Sequence, residues 1–277
     1  MSEGSSDEPI NDASTIIVLR DTDAGIETFM LCRHQQSGFM GGAHVFPGGK
    51  VDAEDRSTGW LDHVDQTAEA VTRALGERDE GGGLALLIAG IRETFEEAGV
   101  LLARTSKAAD LVKARTRLHE GEGFMALAKE VQMRIDANAL VPYARWVTPK
   151  MESRRFDTRF YIARMPEDQE ASHDGSETTS AVWLRPSEAL DGMLSGRLKL
   201  APPTVRTLRW LAEFEDSGAV MQDARSRTPP LVRPRIVTGE GTWFLALPGD
   251  AEHPENEPVL PGATRMIFDR GAWRDAP

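Results

Sequence analysis

Three glutamates, Glu93, Glu96 and Glu97, stand in the run Arg92-Glu-Thr-Phe-Glu-Glu-Ala-Gly-Val100, and their type and spacing could do chemistry. Leu84, Leu87, Ile88, Ile91, Phe95 and Ala98 recur every three or four residues, which predicts a helix over 84–98 with Gly99 as its C′ stop. At about 100° per residue the apolar stripe centres near 350°, counting Leu84 as zero, and the carboxylates fall at about 180°, 120° and 220°, on the opposite face. A solvated acidic face is the plain reading of such a helix. Two considerations weigh against it. Negative charge near a helix C-terminus is opposed by the macrodipole, and like charges about 6 Å apart repel by on the order of 2–3 kcal/mol at an effective dielectric of about 20. Carboxylates crowded at that end imply a cation. Oxygen ligands without histidine or cysteine favour Mg²⁺ or Mn²⁺, ions that typically share a phosphate-bearing substrate. The implied chemistry is that of a phosphate ester or anhydride.

The elements that must position this helix are legible around it. Residues 13–19 and 26–33 are β-rich runs joined by a turn-forming cluster at 21–25. A short strand from Ala43 stops at Pro47, and Gly48 and Gly49 then permit unusual backbone angles. Residues 53–82 are polar, with a weak helical stretch over 66–75 and a glycine-rich exit at 80–83. They read as an insertion that loops away from the carboxylates and tolerates shortening. Helical pattern resumes over 109–136, in two pieces broken near Gly121 and Gly123. Strands are expected at 145–148, 156–163 and 180–184, with helices after Pro186 and Pro203. The last sixty residues are proline-rich with short strands near 232–237, 243–247 and 263–268, and suit an added small sheet, a lid or a dimer arm.

Composition sets the class. Residues of the AVILMFWYC set make up 40% of the 277 residues, enough for a sizeable core. No apolar run approaches the roughly 18 residues that span a bilayer. Residues 1–12 are acidic and serine-rich and read as a disordered tail without the features of a signal or transit peptide. One cysteine, Cys32, excludes an intramolecular disulfide framework and suits a reducing compartment, so a cytoplasmic location is expected. A net charge of −12 argues against a protein that coats nucleic acid or an anionic membrane. An anionic small molecule would need aimed arginines or bound cations.

The segment Arg92 to Val100 resembles the second half of the box that marks the Nudix hydrolases, which reads Arg-Glu-apolar-x-Glu-Glu-x-Gly-apolar, with Thr94 in place of the apolar residue. The first half, Gly followed by five residues and Glu, is matched by Gly49 and Asp55, with Asp for Glu. Thirty-six residues, 56–91, separate the halves where the family has seven. That interruption is similar to the coenzyme A diphosphatase branch of the peroxisomal type, as are the run from Gly38 to Asp52 and Arg155-Phe-Asp-Thr-Arg-Phe160. The likeness covers residues 13–215, with 216–277 as a C-terminal extension. It implies an α/β fold, the Nudix α/β/α sandwich with a mixed sheet, carrying the 53–82 insertion.

The resemblance implies roles. Glu93, Glu96 and Glu97 would hold Mg²⁺ or Mn²⁺, and Arg92 would pair with a box carboxylate. Water would attack one phosphorus of a diphosphate, with Glu93 or Glu177 as the base. Gly48 and Gly49 would let backbone approach the helix, or simply form a tight turn. Arg33, Arg154, Arg155 and Arg159 are candidates for substrate phosphates, with surface ion pairs as the alternative. Phe46, Gly48 and Gly49 complete the expected substrate contacts, and His34 and His44 are weaker candidates. Cys32 reads as an inert thiol in a strand. The implied substrate is coenzyme A or an acyl thioester of it. The signature upstream of the box is only partly present in Met30-Leu-Cys-Arg-His34, so another nucleoside diphosphate derivative stays open, as does a module that binds such a metabolite without turnover. A homodimer formed through exchange of the C-terminal extension is the remaining partner expectation.

Overall fold

A computed structural model describes residues 10–36, 40–77, 79–106, 110–152, 154–239 and 242–276. The chain opens with β1 (Asn11–Thr22), β2 (Gly25–Arg33), β3 (Ala43–Val45) and β4 (Gly48–Lys50), then α1 (Ala68–Ala74), α2 (Glu80–Ala98), β5 (Arg104–Thr105), α3 (Leu111–His119), α4 (Phe124–Glu130) and β6 (Met133–Arg134). It continues through β7 (Val141–Val147), β8 (Phe156–Arg164), β9 (Thr178–Leu184), α5 (Pro186–Leu194), β10 (Lys199–Leu200), α6 (Pro202–Leu211) and α7 (Ser217–Ser226). The short strands β11 (Leu231–Val232), β12 (Arg235–Gly239), β13 (Thr242–Ala246), β14 (Arg265–Asp269) and β15 (Ala272–Ala276) follow.

The main sheet runs β10-β3-β2-β1-β8-β7-β11, with β4 on β1 and β9 on β2. β1 pairs parallel with β8 and antiparallel with β2 and β4, so the sheet is mixed. Alternation along β1 explains its two faces. Ile16 and Val18 enter one core with α2, while Ile17 and Leu19 enter a second core with α5, α6 and α7. The expected α/β/α sandwich is the architecture observed. Residues 1–9 of the expected tail lie outside the described residues, but Asn11 and Asp12 are already strand, paired with Phe156 and Asp157. Gly38 of the quoted run also lies outside them.

Three differences from the sequence reading have physical causes. α2 begins at Glu80, four residues early, because Asp79 caps it by accepting from Gly82 N at 2.8 Å. A Cβ on Gly83 would stand 2.9 Å from Thr72 Cα, so this glycine lets α1 and α2 pack. The 53–82 segment does not loop away. Trp60 is fully buried against Phe124, and Val71 and Leu75 share the α2 core. The third difference is α7, which falls in the segment expected to hold only strands; Asp216 caps it through Ala219 N at 2.8 Å, and Val220, Met221 and Ala224 enter the second core. The rest of that segment forms the small sheet β12-β13-β14-β15, attached by Arg206 and Arg209, which bond Asp275.

Candidate active site

α2 delivers the three glutamates to the glycine strand β4. The face expected to oppose the core is covered by the Gly48–Lys50 strand and the turn after it, so Glu97 is only 6% exposed. Glu97 accepts the Gly48 backbone N–H at 2.9 Å. Glycine is required at the first position of this approach and favoured at the second. Gly48 has φ +153° and a Cβ there would strike Ser14 O; a Cβ on Gly49 would strike the Glu93 carboxylate.

Arg92 binds the two halves of the box. Its Nε and Nη2 donate to Asp55 Oδ1 and Oδ2 at 3.0 and 2.9 Å, and Nη2 also reaches Lys50 O at 3.1 Å. Its Nη1 donates to Glu93 at 2.9 Å and Glu96 at 3.3 Å. Asp55 is fully buried and also accepts from Asp52 N at 2.8 Å. Burial works against the Arg92 charge, but the Asp55 bond and the surrounding carboxylates outweigh it and hold this guanidinium charged.

The glutamates respond to the same surroundings. Burial, partly opposed by Arg92 and reinforced by Glu96, pushes Glu93 up to about 7. Burial pushes Glu97 up to about 8 against the Gly48 N–H, with the Glu93 charge adding to the rise. Glu96 is raised by burial as well. Among the described residues no group of three or more His, Cys, Asp or Glu is already arranged as a metal site. Arg92 and Gly48 instead occupy the glutamate oxygens. The donor set nevertheless fits a hard divalent ion: three carboxylates, no softer ligand, and pKa values raised by burial and like charge, which a cation among them would lower again.

Two further elements converge here. Arg33 and Glu177 both act electrostatically on Glu97, and Glu177 also acts on Glu93. Arg33 Nε is buried without a hydrogen-bond partner. Glu177 is exposed, and its backbone is fixed: its N–H donates to Asp174 Oδ2 at 2.9 Å and its carbonyl accepts His34 N at 2.9 Å. Asp174 also takes bonds from Ser176 and Thr178, which together overcome burial and hold its carboxyl well below the usual range.

The remaining expected contacts are placed elsewhere. Phe46 is 3% exposed within the second core, packed with Met30 and Phe160 on the face away from α2. Arg159 points to the α2 face, but its guanidinium is engaged by Glu77 at 2.9 Å, Asp12 at 2.7 Å and Asp157 at 3.3 Å. Arg155 donates to Thr148 O at 3.5 Å, and Arg154 is exposed. His34 accepts from Gln36 N, His44 is half-buried with its pKa shifted down by burial, and the Cys32 thiol faces backbone carbonyls.

Sequence reasoning missed the residues that hold the end of α2. Arg115 donates to Glu96 O at 2.8 Å, Glu97 O at 2.7 Å and Ser172 Oγ at 3.1 Å, and His119 Nε2 lies 3.0 Å from Glu96 O. Arg115 is thus a cationic partner for the orphan carbonyls at a helix C-terminus, with the His119 ring beside it. Eighteen or more residues away in sequence, they carry no local signal.

Known proteins resemble this chain in sequence and in fold. A family model described as the NUDT19 Nudix domain matches residues 77–211. The acyl-coenzyme A diphosphatase NUDT19 of Xenopus laevis is 28% identical, covering 87% of this chain and 74% of that protein. Its human counterpart is 29% identical, covering 85% and 74%. The crystal structure of a NUDIX hydrolase from Alicyclobacillus acidocaldarius superposes with a TM-score of 0.67 at 26% identity, covering 78% of this chain and 97% of that one.

Proposed function

Because this chain is a Nudix hydrolase and acts on diphosphate bonds, we propose that its substrate is coenzyme A or an acyl-coenzyme A, cleaved to 3′,5′-ADP and a 4′-phosphopantetheine product. The observation that carries the site is the burial of Glu93 and Glu97 against Gly48 and Gly49, with Arg92 locking both halves of the box. The substrate reading is supported by the acyl-coenzyme A diphosphatases that align over most of the chain.

Glu93, Glu96 and Glu97 are the residues that would hold the divalent ion Nudix hydrolases generally use, here Mg²⁺ or Mn²⁺. Such an ion neutralises diphosphate oxygens and lowers the pKa of water. Arg92 supplies fixed positive charge between Glu93 and Glu96 and keeps their oxygens oriented. Glu93 or Glu177 takes the proton of the attacking water. Glu177 suits that work because Asp174 fixes its backbone while its carboxylate stays exposed. Arg33 offers its unpartnered Nε to a phosphate oxygen.

The test is turnover of coenzyme A, an acyl-coenzyme A, ADP-ribose, NADH and a dinucleoside polyphosphate with Mg²⁺ or Mn²⁺, products resolved by chromatography. Release of 3′,5′-ADP from the first two is expected. Preference for another member of the panel would overturn the substrate, and silence across it would overturn the reaction.

A further inference from the structure

On the face of the main sheet away from α2 lies an apolar pocket of about 370 Å³. This is within the 300–1,000 Å³ range of small-molecule sites. Its sheet wall is Trp146, Phe156 and Thr158, and its opposite wall is Ile236, Trp243 and Trp273 of the small C-terminal sheet. The indoles of Trp243 and Trp273 meet edge to face at 5.6 Å, and Trp243 stays 46% exposed at the rim. Phe268, also about half exposed, packs on Trp273 as well, so the apolar rim is contiguous, as at grooves that receive an apolar group.

Strand register ties this pocket to the glycine strand. Lys50 pairs with Ala13, and Ala13 pairs with Thr158 on its other side. Strands about 4.8 Å apart therefore place the Thr158 backbone roughly 10 Å from that of Lys50. The carboxylates lie on one face at this end of the sheet and the pocket on the other. β4 is three residues long and pairs only with β1 among the described residues, so the sheet is short at this edge. Met40, 38% exposed, comes from the loop leading to that edge and lines the pocket as well.

We propose that this pocket holds the acyl chain of an acyl-coenzyme A, and that the C-terminal sheet is present to build it. The proposal rests on the reading that the chain hydrolyses coenzyme A thioesters. In such a molecule the long, flexible pantetheine arm separates the diphosphate from the thioester, so the diphosphate can lie at Gly48 and Gly49 while the arm rounds the edge past Met40. Among the described residues the pocket wall offers no cation for a second phosphate group, and its one carboxylate there, Glu152, disfavours an anion. An alkyl chain is the part of the substrate this lining matches. Each methylene it fully buries multiplies affinity by roughly four.

The experiment is steady-state kinetics on coenzyme A, butanoyl-coenzyme A and dodecanoyl-coenzyme A with the full chain, Trp243→Ala and Ile236→Glu. For the unsubstituted protein, KM is expected to fall at least tenfold from coenzyme A to the dodecanoyl thioester. Both variants should lose that preference, with KM for coenzyme A within twofold of the original. Equal KM across the series, or variants that weaken all three substrates alike, would overturn the proposal. A second measurement separates it from the substrate reading. Three of the six tryptophans line the pocket, so the uncharged dodecan-1-ol below its solubility limit should quench intrinsic fluorescence saturably, and Ile236→Glu should abolish the effect. If no thioester is turned over but this quenching holds, the substrate reading fails while the apolar site stands. Absence of saturable quenching in the original protein overturns the site.

Discussion

Replacing Asp55 with Asn removes the charge that Arg92 grips most fully. The two side chains share two hydrogen bonds of 3.0 and 2.9 Å in a place where Asp55 has no exposure at all. Breaking a buried pair by removing one partner typically costs roughly 3–5 kcal/mol. The orphaned guanidinium keeps Glu93, Glu96 and Lys50 O as partners, which puts this case near the lower end, at about 3 kcal/mol. At about 2–4 °C per kcal/mol for chains of this size, Tm should fall by roughly 6–12 °C. A second consequence separates this account from generic destabilisation. Released from Asp55, Arg92 directs more of its charge to Glu93 and Glu96 and competes with a divalent ion for them, so the Mg²⁺ concentration giving half-maximal activity should rise. Thermal unfolding with and without EDTA, together with a Mg²⁺ titration of activity, reads both effects. A Tm within about 2 °C of the original and an unchanged Mg²⁺ midpoint would refute the clamp; the resolution needed is well within the expected shift.

Other consequences follow from the same contacts. Glu97 is raised from 4.5 to about 8 in the folded chain, so the folded state binds a proton the unfolded state has released and the metal-free protein loses stability as pH rises between those values. Glu97→Gln lacks this titration, so in EDTA its Tm advantage over the original should be small at pH 5 and grow towards pH 8; a constant difference would contradict the buried charge. Trp60→Ala should cost about 3–5 kcal/mol in denaturant unfolding, because the residue is fully buried in the α2 core. Shortening the 53–82 segment through Trp60 should be no milder, and an unaffected shortened chain would show that this segment is separable. Arg115→Gln should cost roughly 1.5–3 kcal/mol by the same method, since it removes charged hydrogen bonds to two terminal carbonyls of α2; an unchanged midpoint would discount that cap.

The sequence made most of this site legible because period and motif agreed there. The strands from Asn11 and Gly25, α2 with its stop at Gly99, and the meeting of Gly49, Asp55 and Arg92 all follow local rules or a recognisable pattern. What escaped is what depends on distant partners. The 3₁₀ turns Glu54–Arg56 and Thr58–His63 have neither a helical nor a strand period, yet they bury Asp55, Trp60 and His63. Three glycines look like a helix breaker until Thr72 packs on Gly83. Arg159 has the composition of a phosphate ligand, and only the fold shows Glu77, Asp12 and Asp157 around it. Phe46 adjoins the glycine pair in sequence, but its side chain enters the opposite core.

If the carboxylates on α2 carry the hydrolysis, the most direct test is kcat of Glu97→Gln beside the original protein on coenzyme A at saturating Mg²⁺, with 3′,5′-ADP quantified by chromatography. Loss of at least roughly 10²–10³-fold in kcat is expected for removing a preorganised charge of this kind, with a Tm no lower than the original. Activity within about tenfold of the original, in a variant that is folded, would contradict the claim, since that is less than the smallest effect such a group should have.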